Sequence, residues 1–300
     1  MKELKALIVR NTKLFFKDKG LFFVSLITPA ILLVLYVTFL GNVYRDAFLS
    51  SFAEGVAVPE KLVNGYVGAQ LISSILAVST VTVAFCSNML MVQDKANGTI
   101  ADFAVSPVRA RYLAFGYYFS TLLVTAIVSF AAAAICLVYM AVVGWYLSVV
   151  DVLLLCLDVL LLLTFGTALS SVINYFLHSQ GQISAVGTIV SSGYGFISGA
   201  YMPISQFSPW LQNAIALLPG TYGTSLLRAH AMRGVFEALS EEGIPAPVVD
   251  VIRDAVDCNI YFFDAAVPTG VKYAVLIGAT LLLIALYVLL NVRGAKRAQK

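Results

Sequence analysis

Apolar residues along this chain fall into long uninterrupted runs, and nearly all of the charge is collected in the short segments between them. Runs at 21–40, 68–92, 113–143, 149–176, 183–201 and 273–290 approach or exceed the roughly 20 residues that cross about 30 Å of hydrocarbon at 1.5 Å per residue. They are helices, because a strand edge or loop exposed to lipid would leave its backbone groups unpaired. The pattern predicts an all-α integral membrane protein with six spans. Pro29 kinks the first span without ending it, provided neighbouring groups satisfy the freed carbonyl. The second is rich in Ser and Thr, whose hydroxyls bond back to their own helix. The third exceeds a bilayer's need, so it begins below the membrane with Tyr112, Tyr117 and Tyr118 near the interface.

The interruptions carry their own patterns. In residues 1–20, Leu4, Leu7, Ile8, Leu14 and Phe15 share a helical face, with Lys2, Lys5, Arg10, Lys13, Lys17 and Lys19 around the others. This predicts an amphipathic helix lying on the membrane surface, the alternative being a basic flank that only orients the first span. Residues 41–67 read as a mixed polar loop. The piece from 202 to 221 holds an apolar stretch, Trp210 to Leu218, too short to span. Ser208 suits a helix cap, Pro209 a first turn, and Pro219-Gly220 a stop, so a re-entrant helix is expected. Residues 222–270 are polar and acidic and read as an extracellular region, helical where Pro247 precedes the stripe Val248, Val249, Ile252 and Val256.

Composition agrees: 60% of residues are apolar, 12% are charged and the mean hydropathy is +0.90, outside the soluble range. The net charge of +3 matters through its distribution. Six Lys and Arg residues lie in 1–20, three in 93–111 and four in 291–300, with four acids; the alternate loops hold six against eleven acids. By the positive-inside rule both termini and the loop at 93–111 face the cytoplasm. Such clustering concerns membrane topology and gives no reason to expect nucleic acid. The sequon Asn97-Gly98-Thr99 falls on that side, where glycosylation is not expected. Cys86, Cys136, Cys156 and Cys258 have no CxxC spacing, and the first three sit in predicted spans as small apolar residues.

Little catalytic chemistry is present. His178 and His230 lack partner Cys or paired carboxylates, so no metal site is expected. No Gly-Lys-Ser/Thr occurs, so the chain has no P-loop, and any ATP would be bound by another subunit. Asp158 is the one acid well inside a span, with Asp151 seven residues earlier on the same face. Its burial cost leaves two readings open: a substrate or ion contact, or a carboxylate directed to outer headgroups or an outer Arg. Gly187, Ser191, Gly195 and Gly199 recur every four residues, a stripe that allows close helix approach, by spacing alone favouring internal packing over a subunit interface.

Two segments resemble a known family. QDKANGTIADFAVSPVRAR (93–111) is similar to the cytoplasmic loop of ABC-2 type transporter permeases, and ISGAYMPISQFSPWLQNAIALLPGTYGTSLLR (197–228) to their fifth span, re-entrant helices and trailing Arg. The resemblance implies the ABC-2, or type V exporter, fold in a single domain over 1–300. It further implies a pair of permeases, identical or related, each docked on a cytoplasmic ABC ATPase that carries ATP and Mg, with no cofactor in this chain. The loop helix would couple to that ATPase through Asp94, Gly98, Thr99, Ile100, Asp102, Phe103 and Val105. The stripe would move to the dimer interface, and Pro203, Pro209, Trp210, Pro219 and Gly220 would form an outer gate. Asp94 and Asp102 stand where Glu is commoner, and the acidic region is longer than in short members. A bacterial plasma membrane and export of drugs, peptides, lipids, glycans or ions are the implied setting. Two rivals remain: an ion-coupled carrier using Asp158, and a non-transporting sensory or immunity subunit.

Overall fold

The computed structural model describes residues 2–52, 58–105, 108–263 and 265–298. Ser106, Pro107 and Asp264, and the side chain of Val105, lie outside the described residues. Twelve α-helices follow in order among them: α1 (Lys2–Lys17), α2 (Lys19–Leu35), α3 (Gly41–Ser50), α4 (Glu60–Ala96), α5 (Thr99–Val105), α6 (Ala110–Val143), α7 (Val149–Tyr175), α8 (Gln180–Ile197), α9 (Pro209–Ile215), α10 (Pro219–Glu241), α11 (Ala246–Ala255) and α12 (Thr269–Ala298). A two-residue antiparallel hairpin pairs β1 (Tyr261–Phe262) with β2 (Ala265–Ala266).

Among the described residues five helical stretches are long and apolar enough to cross a membrane: Lys19–Ser50, Glu60–Ala96, Arg111–Val143, Val149–Tyr175 and Thr269–Arg293. The expected fifth span, α8, is 18 residues long, about 27 Å at 1.5 Å per residue, but Gln180, Gln182 and its Gly and Ser residues keep it out of that apolar set. The first span runs ten residues past its expected end. A π-helical turn at Tyr36–Leu40 joins α2 to α3, and Phe48 on α3 stacks on Tyr66 of α4 at 4.1 Å between ring centroids. The loop expected over 41–67 is therefore mostly helix, since its polar residues permit a helix that Tyr44 and Phe48 can dock.

The hub is α4, flanked by α2, α6, α7, α8 and α10, with 94% of its membrane-length window buried. Small residues make that possible. A Cβ on Gly65 would fall 2.6 Å from the Tyr146 ring, and one on Gly68 2.8 Å from Met140 Sδ, so larger residues would push the neighbouring segments away. The expected back-bonding occurs: Ser73, Thr80 and Thr82 hydroxyls donate to the carbonyls of Gln70, Ala77 and Val78. Between α4 and α7, the buried Asn88 amide donates to Ser170 and Ser171 at 3.2 and 2.9 Å.

The largest departure is α10. Pro219 does not stop a helix but starts one of 23 residues, because proline is tolerated in a first turn, where its missing N–H has no helical partner. This helix packs against α4, α7 and α12, so the first part of the segment read as extracellular belongs to the helical bundle. Its Gly234 lies against the Tyr146 carbonyl, where a Cβ has no room. Beyond it, α11 forms where the stripe predicts, with Val249, Ile252 and Val256 buried.

Candidate functional site

Five elements converge at the end of the bundle that carries the basic termini. From α1, the Arg10 guanidinium forks onto Asp94 near the end of α4, at 2.8 and 3.2 Å, and the Tyr117 hydroxyl of α6 donates to the same carboxylate at 2.6 Å. The charged partner and the hydrogen bond hold Arg10 above its ordinary pKa. Arg10 also lies 5.2 Å from the Phe103 ring centroid, tying α5 to the cluster. The neighbouring Lys95 ammonium donates to the carbonyls of Asn174, Tyr175 and Leu177, at 3.2, 2.7 and 3.3 Å, and so caps the end of α7.

This arrangement divides the expected coupling residues. Asp94 is buried and satisfied within the chain, so it anchors the loop and presents no free carboxylate to a partner. Gly98 takes a left-handed φ of +80° with open space around it and turns the chain from α4 into α5. Asp102 is exposed, while Thr99, Ile100 and Phe103 are half-buried. The hydrophobic face of α1 seats as its pattern requires, burying Leu7 and Phe15, with Leu7 against Gly116 of α6.

Beside α4 lies a cavity of about 1140 Å³ between α2, α3, α4 and α8, with Tyr201–Pro203 and residues of α11 also in its lining. Ile27, Ile31, Phe85, Met89 and Phe196 give it apolar walls, and Tyr44, Thr82, Ser184 and Ser191 add hydroxyls without a charge. Such a chamber suits a large apolar or amphipathic molecule.

Asp158 is not among the residues lining this cavity. It is fully buried between α7, α10 and α12, 2.6 Å from His230 Nδ1 and accepting from the Tyr273 hydroxyl at 2.8 Å. One turn pair away, Asp151 closes a capping box with Ser148 at the start of α7 and meets Arg233 Nε at 2.7 Å. Both acids of that face therefore have partners on α10.

Residues 2–231 match the family described as ABC-2 type transporter. The chain belongs to that family. No curated protein matches it. Membership makes it a multi-pass membrane protein, the permease component of an ABC transporter, and members of the family generally work with a cytoplasmic ABC ATPase.

In this ABC-2 permease the small-residue stripe packs inside the chain at its three glycines. Gly187 faces Met89 of α4, where a Cβ would lie 2.7 Å from the methyl group, and Gly195 faces the Tyr201 ring. The Ser191 hydroxyl donates to the Gly187 carbonyl, and its own carbonyl accepts from the Tyr201 hydroxyl. Gly199 is past the helix, at φ +74°, as the left-handed residue after the C-cap, which suits glycine.

Of the residues expected in an outer gate, Pro203 lines the cavity and Pro209 opens α9, whose N-cap Ser208 makes no side-chain cap bond. Trp210 is 72% exposed. Gly220 packs against Tyr194 of α8, where a Cβ would lie 2.6 Å from the hydroxyl.

A polar knot that sequence patterns did not reveal locks this region together. Arg228 is fully buried and donates to the carbonyls of Val256 and Gly199, both at 2.8 Å, and to Ser74 and Asp257 at 3.3 Å. Asp257 accepts in addition from the backbone N–H groups of Ile204 and Ser205. One side chain on α10 thus joins α4, the end of α8 and the end of α11, and through Asp257 the turn before α9. Only the trailing Arg of the family-like segment hinted at it.

Proposed function

We propose that the chain is the membrane half of an ATP-driven exporter, with both termini in the cytoplasm of a plasma membrane and α8 as a sixth span. Two permeases, identical or related, pair around a translocation path, and each seats α5 in a separate ATPase. The cavity beside α4 carries this reading: it is large, apolar and hydroxyl-lined, and it sits on the same central helix whose far end bears the α5 cluster. Closure of the ATPases would move α5, and the Arg10–Asp94–Tyr117 link would pass that motion to α1, α4 and α6 together. Residues 202–221 form the gate that closes the cavity on the far side, and amphipathic drugs, peptides, lipids or glycolipids are the substrate classes that fit. The pairing of Asp158 with His230 and Tyr273, away from the cavity, disfavours an ion-coupled carrier.

Affinity purification of the tagged chain in mild detergent tests the partner: a stoichiometric P-loop ATPase is expected, and repeated isolation of the chain alone would refute it. With the complex in hand, Thr188→Trp, which fills the cavity from an exposed lining position, should abolish substrate stimulation of ATP hydrolysis. Ile189→Trp, outside the cavity, should not. Equal behaviour of the two variants would remove the cavity from the transport path.

A further inference from the structure

A second cleft, of about 330 Å³, opens at the end of the bundle opposite α5, between α10, the segment after α11, the β1–β2 hairpin and the first turn of α12. Among the described residues its charged lining side chains, Arg233, Arg253 and Lys272, are all basic, and no acid lines it. The neutral polar lining consists of Asn259 and Thr269.

The three cations differ in how far the chain already satisfies them. Arg233 is committed, at 2.7 Å from Asp151 and 3.7 Å from Glu237. Arg253 lies over the Phe236 ring, 4.9 Å from its centroid, and its pair with Asp250 spans 3.7 Å, beyond hydrogen-bond length, which leaves its planar fork of donors available. Lys272 is 3% exposed. Its ammonium donates to Ser225 Oγ at 2.9 Å and to the Cys258 carbonyl at 2.6 Å. An ammonium has three donors, and among the described residues no carboxylate pairs with this one.

Asp257 acts on this ammonium only at a distance, and a buried cation whose direct acceptors are all neutral is costly unless an anion completes it. The first turn of the 30-residue α12 adds the positive end of its dipole to the same cleft. Next to it, the hairpin exposes Tyr261, Phe262 and Phe263, aromatic residues of the kind that sit at headgroup level.

We infer that this cleft is a binding site for a phosphate-class anion, with Lys272 at its floor and Arg253 at its rim. The anion is the phosphate of a lipid headgroup in the outer leaflet, or a free phosphate of the same chemistry. It fills the third donor position of Lys272 and takes the open fork of Arg253. The site stands on the residues of the cleft and does not depend on what the cavity beside α4 transports.

The test uses the purified full chain in uncharged detergent, titrated separately with phosphatidylglycerol, phosphatidylcholine and inorganic phosphate, and read by thermal shift and native mass spectrometry. The basic terminal segments also attract anionic lipid, so the difference between parent and variant is the readout. A saturable shift with phosphatidylglycerol is expected, weakened about tenfold in Arg253→Gln and in Lys272→Gln, with phosphatidylcholine inert. If inorganic phosphate gives the same variant-sensitive shift, the free anion is the ligand; if the lipid alone does, the ligand is the headgroup. Arg253→Gln, at a partly exposed rim position, decides the matter should Lys272→Gln fail to fold. No saturable shift with either anion, or a shift undiminished in Arg253→Gln, overturns the proposal.

Discussion

Arg228→Met should be among the most damaging single substitutions in this chain, and the damage should come from the acid it leaves behind. The side chain is fully buried and makes four hydrogen bonds to three different segments. Removing one partner of a buried ion pair costs about 3–5 kcal/mol, because an uncompensated charge remains. Asp257 keeps its two backbone donors, which places the expected cost near the lower end, about 3 kcal/mol. Burial already pushes the Asp257 carboxyl above its ordinary pKa, against the pull of Arg228 and those N–H groups toward the charged form.

The sign of the pH dependence follows. A carboxyl whose folded pKa is raised contributes stability below its unfolded pKa of about 3.9, and that contribution is lost as pH rises through the folded value. Without Arg228 the folded value rises further, so the variant's deficit should be small near pH 4 and full near pH 8, as approximate set points. Adding Asp257→Asn should recover most of the loss, since the double variant buries no lone charge. Heating the detergent-solubilised protein and measuring the surviving monodisperse fraction by size-exclusion chromatography reads all three effects. Additive losses in the double variant, or a deficit that does not change with pH, would refute the reasoning.

Gly234→Ala should destabilise by about 3 kcal/mol or more, because the new methyl group meets the Tyr146 carbonyl, a backbone atom with little freedom to move. Gly193→Ala, on a face of α8 with open space, should be neutral or slightly stabilising by helix propensity; the same thermal assay compares the two. Arg10→Gln should cost about 1–2 kcal/mol, the guanidinium being a third exposed, and should speed hydrogen exchange across Lys2–Lys17 while leaving α7 protected. Asp158→Asn should alter thermal stability through its contacts with His230 and Tyr273 while leaving cavity-dependent ATPase stimulation intact.

The existence and centres of the long apolar helices were legible in the sequence because hydrocarbon imposes a length and forbids unpaired backbone; 149–176 and α7 nearly coincide, while α4 and the first span run past their expected ends. The face of α1 was legible for a similar reason, since a 3.6-residue period records which side is dry. The back-bonding hydroxyls of α4 are local chemistry and need no fold to predict. The kinship that spans residues 2–231 was readable in two short motifs, at 93–111 and 197–228.

Other features exist only once the helices meet. Hydropathy reads α10 as polar surface, yet its Arg228, His230 and Ser225 are buried because α4, α7 and the end of α11 bring partners to them. Asp158 looked unpaired because its partners are 72 and 115 positions away. The cavity beside α4 and the cationic cleft are likewise spaces between elements, defined by which faces the bundle brings together. A sequence records what each helix needs to bury or satisfy; tertiary packing decides which distant group meets that need, and that decides where the chambers and charges of this permease lie.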